Sequence, residues 1–247
     1  GNIIGDDFQN NTIQIGFGSN IIANNFSYNL IGAFFSNNDI LNYFSDNEIG
    51  DNFRSNKVGF AFQLNTVGNG FGNSLINVGN IIGNYFKGNT IGTNFYGNNI
   101  GNQFNGNQIK NYFGGNTIKD NFEFNTIRDN FESNIIGNGF NNNSGISNSF
   151  QNNFIGDSFN NNTTIEQGFS NNQIGNFFQD NQDVGAGFIG NKIGIYFTNN
   201  QTIAFSFEGN DIGVGFGNNT NIGSEFSYNR IGDAFRNNLA IGNLFQN

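Results

Sequence analysis

The sequence predicts an all-β fold: a single parallel β-solenoid with two nine-residue units in each coil. Three observations predict it. A nonapeptide recurs along the whole chain, Ile and Phe hold fixed places within it, and in the second half a one-residue insertion returns in every other unit. Internal periodicity of this kind is the signature of repeat architectures.

The unit reads Asn-x-Ile-Gly-x-x-Phe-x-x. A clean stretch runs Ile100…Phe104, Ile109…Phe113, Ile118…Phe122, Ile127…Phe131, Ile136…Phe140. Twenty-six of the 32 Phe stand in register, from Phe8 to Phe245, each four residues after an Ile or Val. Asn follows three residues after each of them from Asn11 to Asn238, with Ser74 as the exception; the last unit ends first. Gly follows the Ile or Val anchor in 17 of the 26 units.

The spacing sets the size of the coil. From Phe8 to Phe71 every step is nine residues, and from Phe140 onward the steps alternate between ten and nine. The extra residue falls in alternate units, as in Asn143-Ser144-Gly145-Ile146 and Asn162-Thr163-Thr164-Ile165. Alternate units are therefore equivalent, and a coil comprises two of them: 18 residues before Phe140 and 19 after it. Phe104 should stack on residues two units away, not on Phe113. About thirteen coils at ~4.8 Å each would make a rod of about 62 Å.

One break interrupts the array. Phe71 to Phe86 spans fifteen residues, and Ser74-Leu75-Ile76-Asn77-Val78-Gly79-Asn80 keeps the Ser/Asn and Ile places while losing the Phe. The sequence reads here as a shortened, irregular coil at 72–85 within one continuous solenoid, residues 1–247.

A helix is excluded by the Gly and Asn in each unit, since Gly alone costs ~1 kcal/mol in a helix interior. In a strand, residues two apart share a face. Asn and Ile then point inward, and the residue between them points out. That outer place holds Thr12, Glu48, Lys57, Thr90, Gln108 and Lys192, all compatible with water. Gly after Ile suits a bend or a close backbone approach, and Phe returns to the core from the next short side. The recurring Asn reads as an amide ladder, each side chain bonding its counterpart one coil away and tolerating a left-handed corner. Ligand binding by these Asn would need local specialisation, which a residue repeated throughout lacks.

Composition agrees. Pro is absent, as expected where nearly every backbone N–H is a needed donor. Charged residues are 11% of the chain and the net charge is −9, which disfavours nucleic acid and anionic membrane surfaces as partners. No run is long and apolar enough for a membrane-spanning helix. Strictly spaced aromatics argue against disorder.

The nonapeptide period, two units to a coil, resembles the calcium-binding RTX β-roll. The motif Gly-Gly-x-Gly-x-Asp-x-apolar-x is missing, however. Asp6, Asp51, Asp120, Asp129 and Asp157 share the second place after Ile, but most units carry another residue there, and an array of Ca²⁺ sites needs regular carboxylates. The Asn/Ile/Gly/Phe unit also looks like solenoid repeats of bacteriophage tail-fibre-like proteins and bacterial surface adhesins. That resemblance implies a fibre, adhesin or virion role.

No enzyme is expected. Without His or Cys the common base, nucleophile and zinc arrangements are missing. Acidic residues gather at Asp120, Glu123, Asp129 and Glu132, beside Lys119 and Arg128, and read as a solvated surface. No catalytic, cofactor-binding or metal residue is assigned. Tyr28, Tyr43, Tyr85, Tyr112 and Tyr196 read as scattered outer aromatics.

The leading expectation is a structural or adhesive rod of an extracellular, cell-surface or virion fibre, and a segment of a longer array. Its partners would be other copies or flanking segments of the fibre and a cell-surface glycan or receptor. Two alternatives are an ice-binding solenoid, from the outer Thr12, Thr66, Thr90, Thr117, Thr126, Thr164 and Thr202, and a glycan-binding or glycan-cleaving phage tailspike. Down one face, Thr90, Thr126, Thr164 and Thr202 alternate with Gln108, Gly145 and Asp183. Down another, Gln173, Lys192, Asp211 and Arg230 should align at 19-residue intervals, with Asp211 able to pair with a cation on each side, and Asp39 should pair with Lys57 at 18.

Overall fold

A computed structural model describes residues 1–72, 79–146, 148–203, 205–240 and 242. Two compact units, Gly1–Asp120 and Asn121–Asn247, divide the chain. Each is a parallel β-solenoid, and the described residues contain strands and no helix. The turns number about 12. Residues 241 and 243–247 lie outside the described residues.

In the first unit each coil contributes short strands to two sides. On the first side Ile4 pairs with Ile22 and Ile22 with Ile40; on the second, Ile13 pairs with Ile31 and Ile31 with Ile49. These pairings are parallel, with an 18-residue step. In the second unit Phe122 pairs with Phe140, still 18 residues on, and from Phe131↔Phe150 and Phe140↔Phe159 the step becomes 19. The inserted residue stacks on itself: Thr164–Gln167, Asp183–Ala186, Thr202–Ile203 and Asn221–Ile222 form their own four-stranded sheet.

The break at 72–85 differs from the sequence expectation. Val58 pairs with Ile82, Phe62 with Phe86 and Val67 with Ile91, so the coil there has 24 residues. It is lengthened by six, not shortened by three. The two Phe columns explain why. Phe62 stacks on Phe86 at 5.1 Å and Phe71 on Phe95 at 4.8 Å, so both columns pass the irregular unit unbroken and the surplus is taken up between them. Residues 73–78, with the Ile76 and Val78 of the sequence reading, lie outside the described residues. Asn80 re-enters the Asn column opposite Asn56.

Phe supplies the core. Rings two units apart stack nearly parallel, and rings of successive units meet edge to face. Phe104 lies 4.8 Å from Phe86 at an interplanar angle of 6°, and 5.4 Å from Phe113 at 78°. Both arrangements suit the quadrupole of the ring. The Ile and Val anchors beside them are equally buried.

The Asn column is a ladder, and every ladder Asn from Asn20 to Asn219 is at most 5% exposed. Asn172 shows its logic. Its Oδ1 accepts from the backbone N–H and the Nδ2 of Asn153, both at 3.0 Å. Its Nδ2 donates to Asn191 Oδ1 and to the Phe150 carbonyl, both at 3.0 Å. Two lone pairs and two N–H groups are all used, which is the full capacity of an amide. A carboxylate lacks the donors and an apolar residue lacks both, so the interior position selects Asn. The left-handed corner belongs instead to the residue before it. Asn10, Asn37, Asp46, Asn152 and Asn171, each two residues after its Phe, have φ between 54° and 57°.

Gly after the anchor permits a close approach between coils. At Gly194 an added Cβ would fall inside the carbonyl oxygen of Gly175, and the same holds at Gly213 against Gly194. Strands of seven residues run straight through that place in Ile21–Ser27, Asp39–Ser45, Gln108–Gly114 and Thr126–Glu132, which hold Ala23, Leu41, Lys110 and Arg128 there, and in Thr90–Tyr96, which holds Gly92. Gly194→Ala should therefore destabilise the second unit by about 1–3 kcal/mol, as overpacking does. Urea denaturation would measure it, and an unchanged midpoint would mean that the coils separate freely.

Candidate functional surface

With the interior occupied by stacking, any recognition falls to the outward side chains, and the strand register places these in columns. Gln173, Lys192, Asp211 and Arg230 are consecutive neighbours in one column, as the 19-residue step requires. Asp39 and Lys57 are neighbours too, and their side chains close to 3.8 Å while remaining well exposed. Lys192, Asp211 and Arg230 align but make no ion pair within 4.0 Å among the described residues. Alignment at strand spacing leaves long, solvated side chains free to point apart, and exposed pairs gain too little to hold them together.

The acidic residues find amide partners. Asp129 Oδ1 accepts from Asn148 Nδ2 at 3.3 Å, and Glu132 Oε2 from Gln151 Nε2 at 3.2 Å, each one coil on. Asp120 falls in the first unit and Glu123 in the second. Among the described residues no group of three or more acidic, His or Cys side chains is placed to hold a metal ion.

The Asp residues two places after Ile do have a shared role. Asp6 Oδ1 accepts from Asn24 N and Nδ2, and Asn24 Oδ1 accepts from Asn42 Nδ2 at 2.8 Å. Asp51 Oδ1 accepts from Asn69 N, and Asn69 Oδ1 from Thr93 N and Oγ1. Asp157 likewise accepts from Asn176 Nδ2 at 3.0 Å. These are short outer ladders of opposite sense to the inner one, since later coils donate to earlier ones. In the Asp6 and Asp51 ladders the carboxylate, an acceptor only, stands at the end where accepting is all that is required. Their common place in the unit was the visible signal; their partners were not.

The outer Thr residues do not form one array. Thr66 neighbours Thr90, but Glu48 precedes the pair and Gln108 follows it. Thr12 neighbours Leu30. Thr164 and Thr202 are separated by Asp183. Ser144, not Gly145, stands opposite Thr126, with the hydroxyls 3.3 Å apart. The recurrent insertion begins at this point, which shifts the alignment by one residue.

The Tyr residues are less scattered than their sequence positions imply. Tyr43 meets Phe60 at 6.0 Å and Phe60 meets Tyr85 at 4.9 Å, both edge to face. In the second unit Phe177 and Tyr196 stack at 5.9 Å. Tyr43 and Tyr85 both follow an anchor Ile by three residues, and the coil between them includes the 24-residue one. Reading that coil as short concealed their alignment. A cavity of about 180 Å³ adjoins Tyr196, edged by Thr198, Val214, Asn218 and Arg236.

Stacked Phe columns, a saturated Asn ladder and parallel two-unit coils define the class: a tandem-repeat β-solenoid. No family model, curated protein or solved structure matches the chain.

Proposed function

We propose that the chain is a structural or adhesive segment of an extracellular, cell-surface or virion fibre, without catalysis of its own. The carrying observation is the contrast between interior and exterior. Phe, Ile and the fully bonded Asn recur coil after coil, while the outward columns vary freely. Such a chain gains stability from nearest-neighbour stacking and can be extended by repetition, which suits a spacer. Its resemblance to tail-fibre-like and surface-adhesin repeats points the same way. Other copies or flanking fibre segments are the partners this reading supplies, with a cell-surface glycan or receptor as the target of adhesion.

Electron microscopy of the source particle or cell with an antibody raised against the chain tests the proposal. Label along surface filaments or virion appendages is expected. Label confined to the cell interior would overturn it, as would thermal hysteresis or polysaccharide cleavage by the purified protein.

A further inference from the structure

The first side of the first unit carries a patch that folding does not explain. Ile21, Leu41, Tyr43, Phe60 and Ile81 are outward and between 36% and 54% exposed, on neighbouring coils. Tyr85 completes the aromatic chain through Phe60. Contiguous exposed apolar surface of this sort marks an interaction site.

Asp39 and Lys57 are adjacent and exposed in one column of the patch, between Ile21 and Ile81, and exposed Lys87 follows Tyr85 by two residues. The chain as a whole has 18 acidic and 9 basic residues. This face therefore has no excess of negative charge, where the protein as a whole repels its own kind. A face in which apolar residues flank two adjacent charges of opposite sign is complementary to itself. A twofold axis in the plane of the contact, perpendicular to the column and passing between the two charges, sets each Asp39 against the Lys57 of the other copy and Ile21 against Ile81, as an isologous contact requires. The rings also disfavour a sugar as occupant. Tyr43, Phe60 and Tyr85 meet at 69° and 66°, so they offer no common plane on which a glycan chain could stack.

We propose that this face is a homodimer interface, occupied by a second copy of the chain. The inference stands apart from the fibre reading: it concerns the purified protein in solution, and a dimer could form whatever the cellular location.

Sedimentation velocity of the full chain over a concentration series tests it. The wild-type chain should dimerise. Tyr43→Asn combined with Phe60→Asn should weaken the dimer at least ~10-fold in Kd. Asn stands at both places one coil earlier, as Asn25 and Asn42, and suits the left-handed φ of 54° at Tyr43, so the coil geometry is kept. Tyr228→Asn, in the second unit, should leave the dimer unchanged. Asp39→Lys alone and Lys57→Asp alone should each weaken self-association. Mixing these two variants should restore it, because one face then carries two cations and the other two anions. Rescue on mixing cannot come from the ion pair within one copy, and it decides the matter even if the double Asn variant misfolds. A wild-type monomer at every concentration, a dimer indifferent to these substitutions, no recovery on mixing, or a monomer that binds oligosaccharide through Tyr43 would each overturn the proposal.

Discussion

Asn172→Ala is expected to cost about 4 kcal/mol. The side-chain amide makes four hydrogen bonds at 3.0 Å, each worth ~1 kcal/mol net. Removal also strands two N–H groups of Asn153, itself 2% exposed. The neighbouring residue supplies the control. Asn171 is exposed at the left-handed corner, with φ 54°, and Asn171→Gly should change stability by less than ~1 kcal/mol because Gly adopts that conformation without strain. Chemical denaturation of the pair separates the two roles of Asn in this chain. Equal losses at both positions would refute the ladder as the reason for the interior Asn.

Phe178→Ala is expected to cost about 3–5 kcal/mol. Its ring stacks on Phe159 at 4.9 Å and Phe197 at 4.8 Å, and meets Phe169 and Phe188 edge-on at 5.5 Å. A cavity there is bounded above and below by rings of the same column and at the side by rings of the other, so it cannot readily collapse. Phe178→Leu should recover part of the loss by filling volume, but not the ring–ring term of ~0.5–1.5 kcal/mol per pair. Phe177→Ala, one residue earlier and only partly buried, should cost much less. If the two Ala variants unfolded at the same denaturant concentration, the inward–outward assignment of this strand would be wrong.

The positions tested in both experiments were legible before any coordinates. Inward Asn, inward Ile and inward Phe follow from the period, and the 18- and 19-residue coils follow from the alternating insertion. Less was legible of the surface. The column Gln173–Lys192–Asp211–Arg230 and the pairing of Asp39 with Lys57 were derivable from the coil length, whereas the open geometry at Asp211, where pairing was expected too, was not. Side-chain direction outside the core is not imposed by neighbours.

What the sequence by itself determined is the repeat: coil size, core composition, the Asn ladder and the alternation of faces. These are short-period properties, repeated so often that each unit confirms the last. Only the tertiary structure decided the rest. It lengthened the coil at Phe71–Phe86 to keep both Phe columns continuous, and placed the left-handed corner one residue before the ladder Asn. It set Ser144 against Thr126, and it brought Tyr43, Phe60 and Tyr85 onto one face. The physical reason is common to all of these. Lateral neighbours in a solenoid are set by the length of the coil between them, and where an anchor Phe is missing or a residue is added, that length is chosen by packing against the adjacent coils.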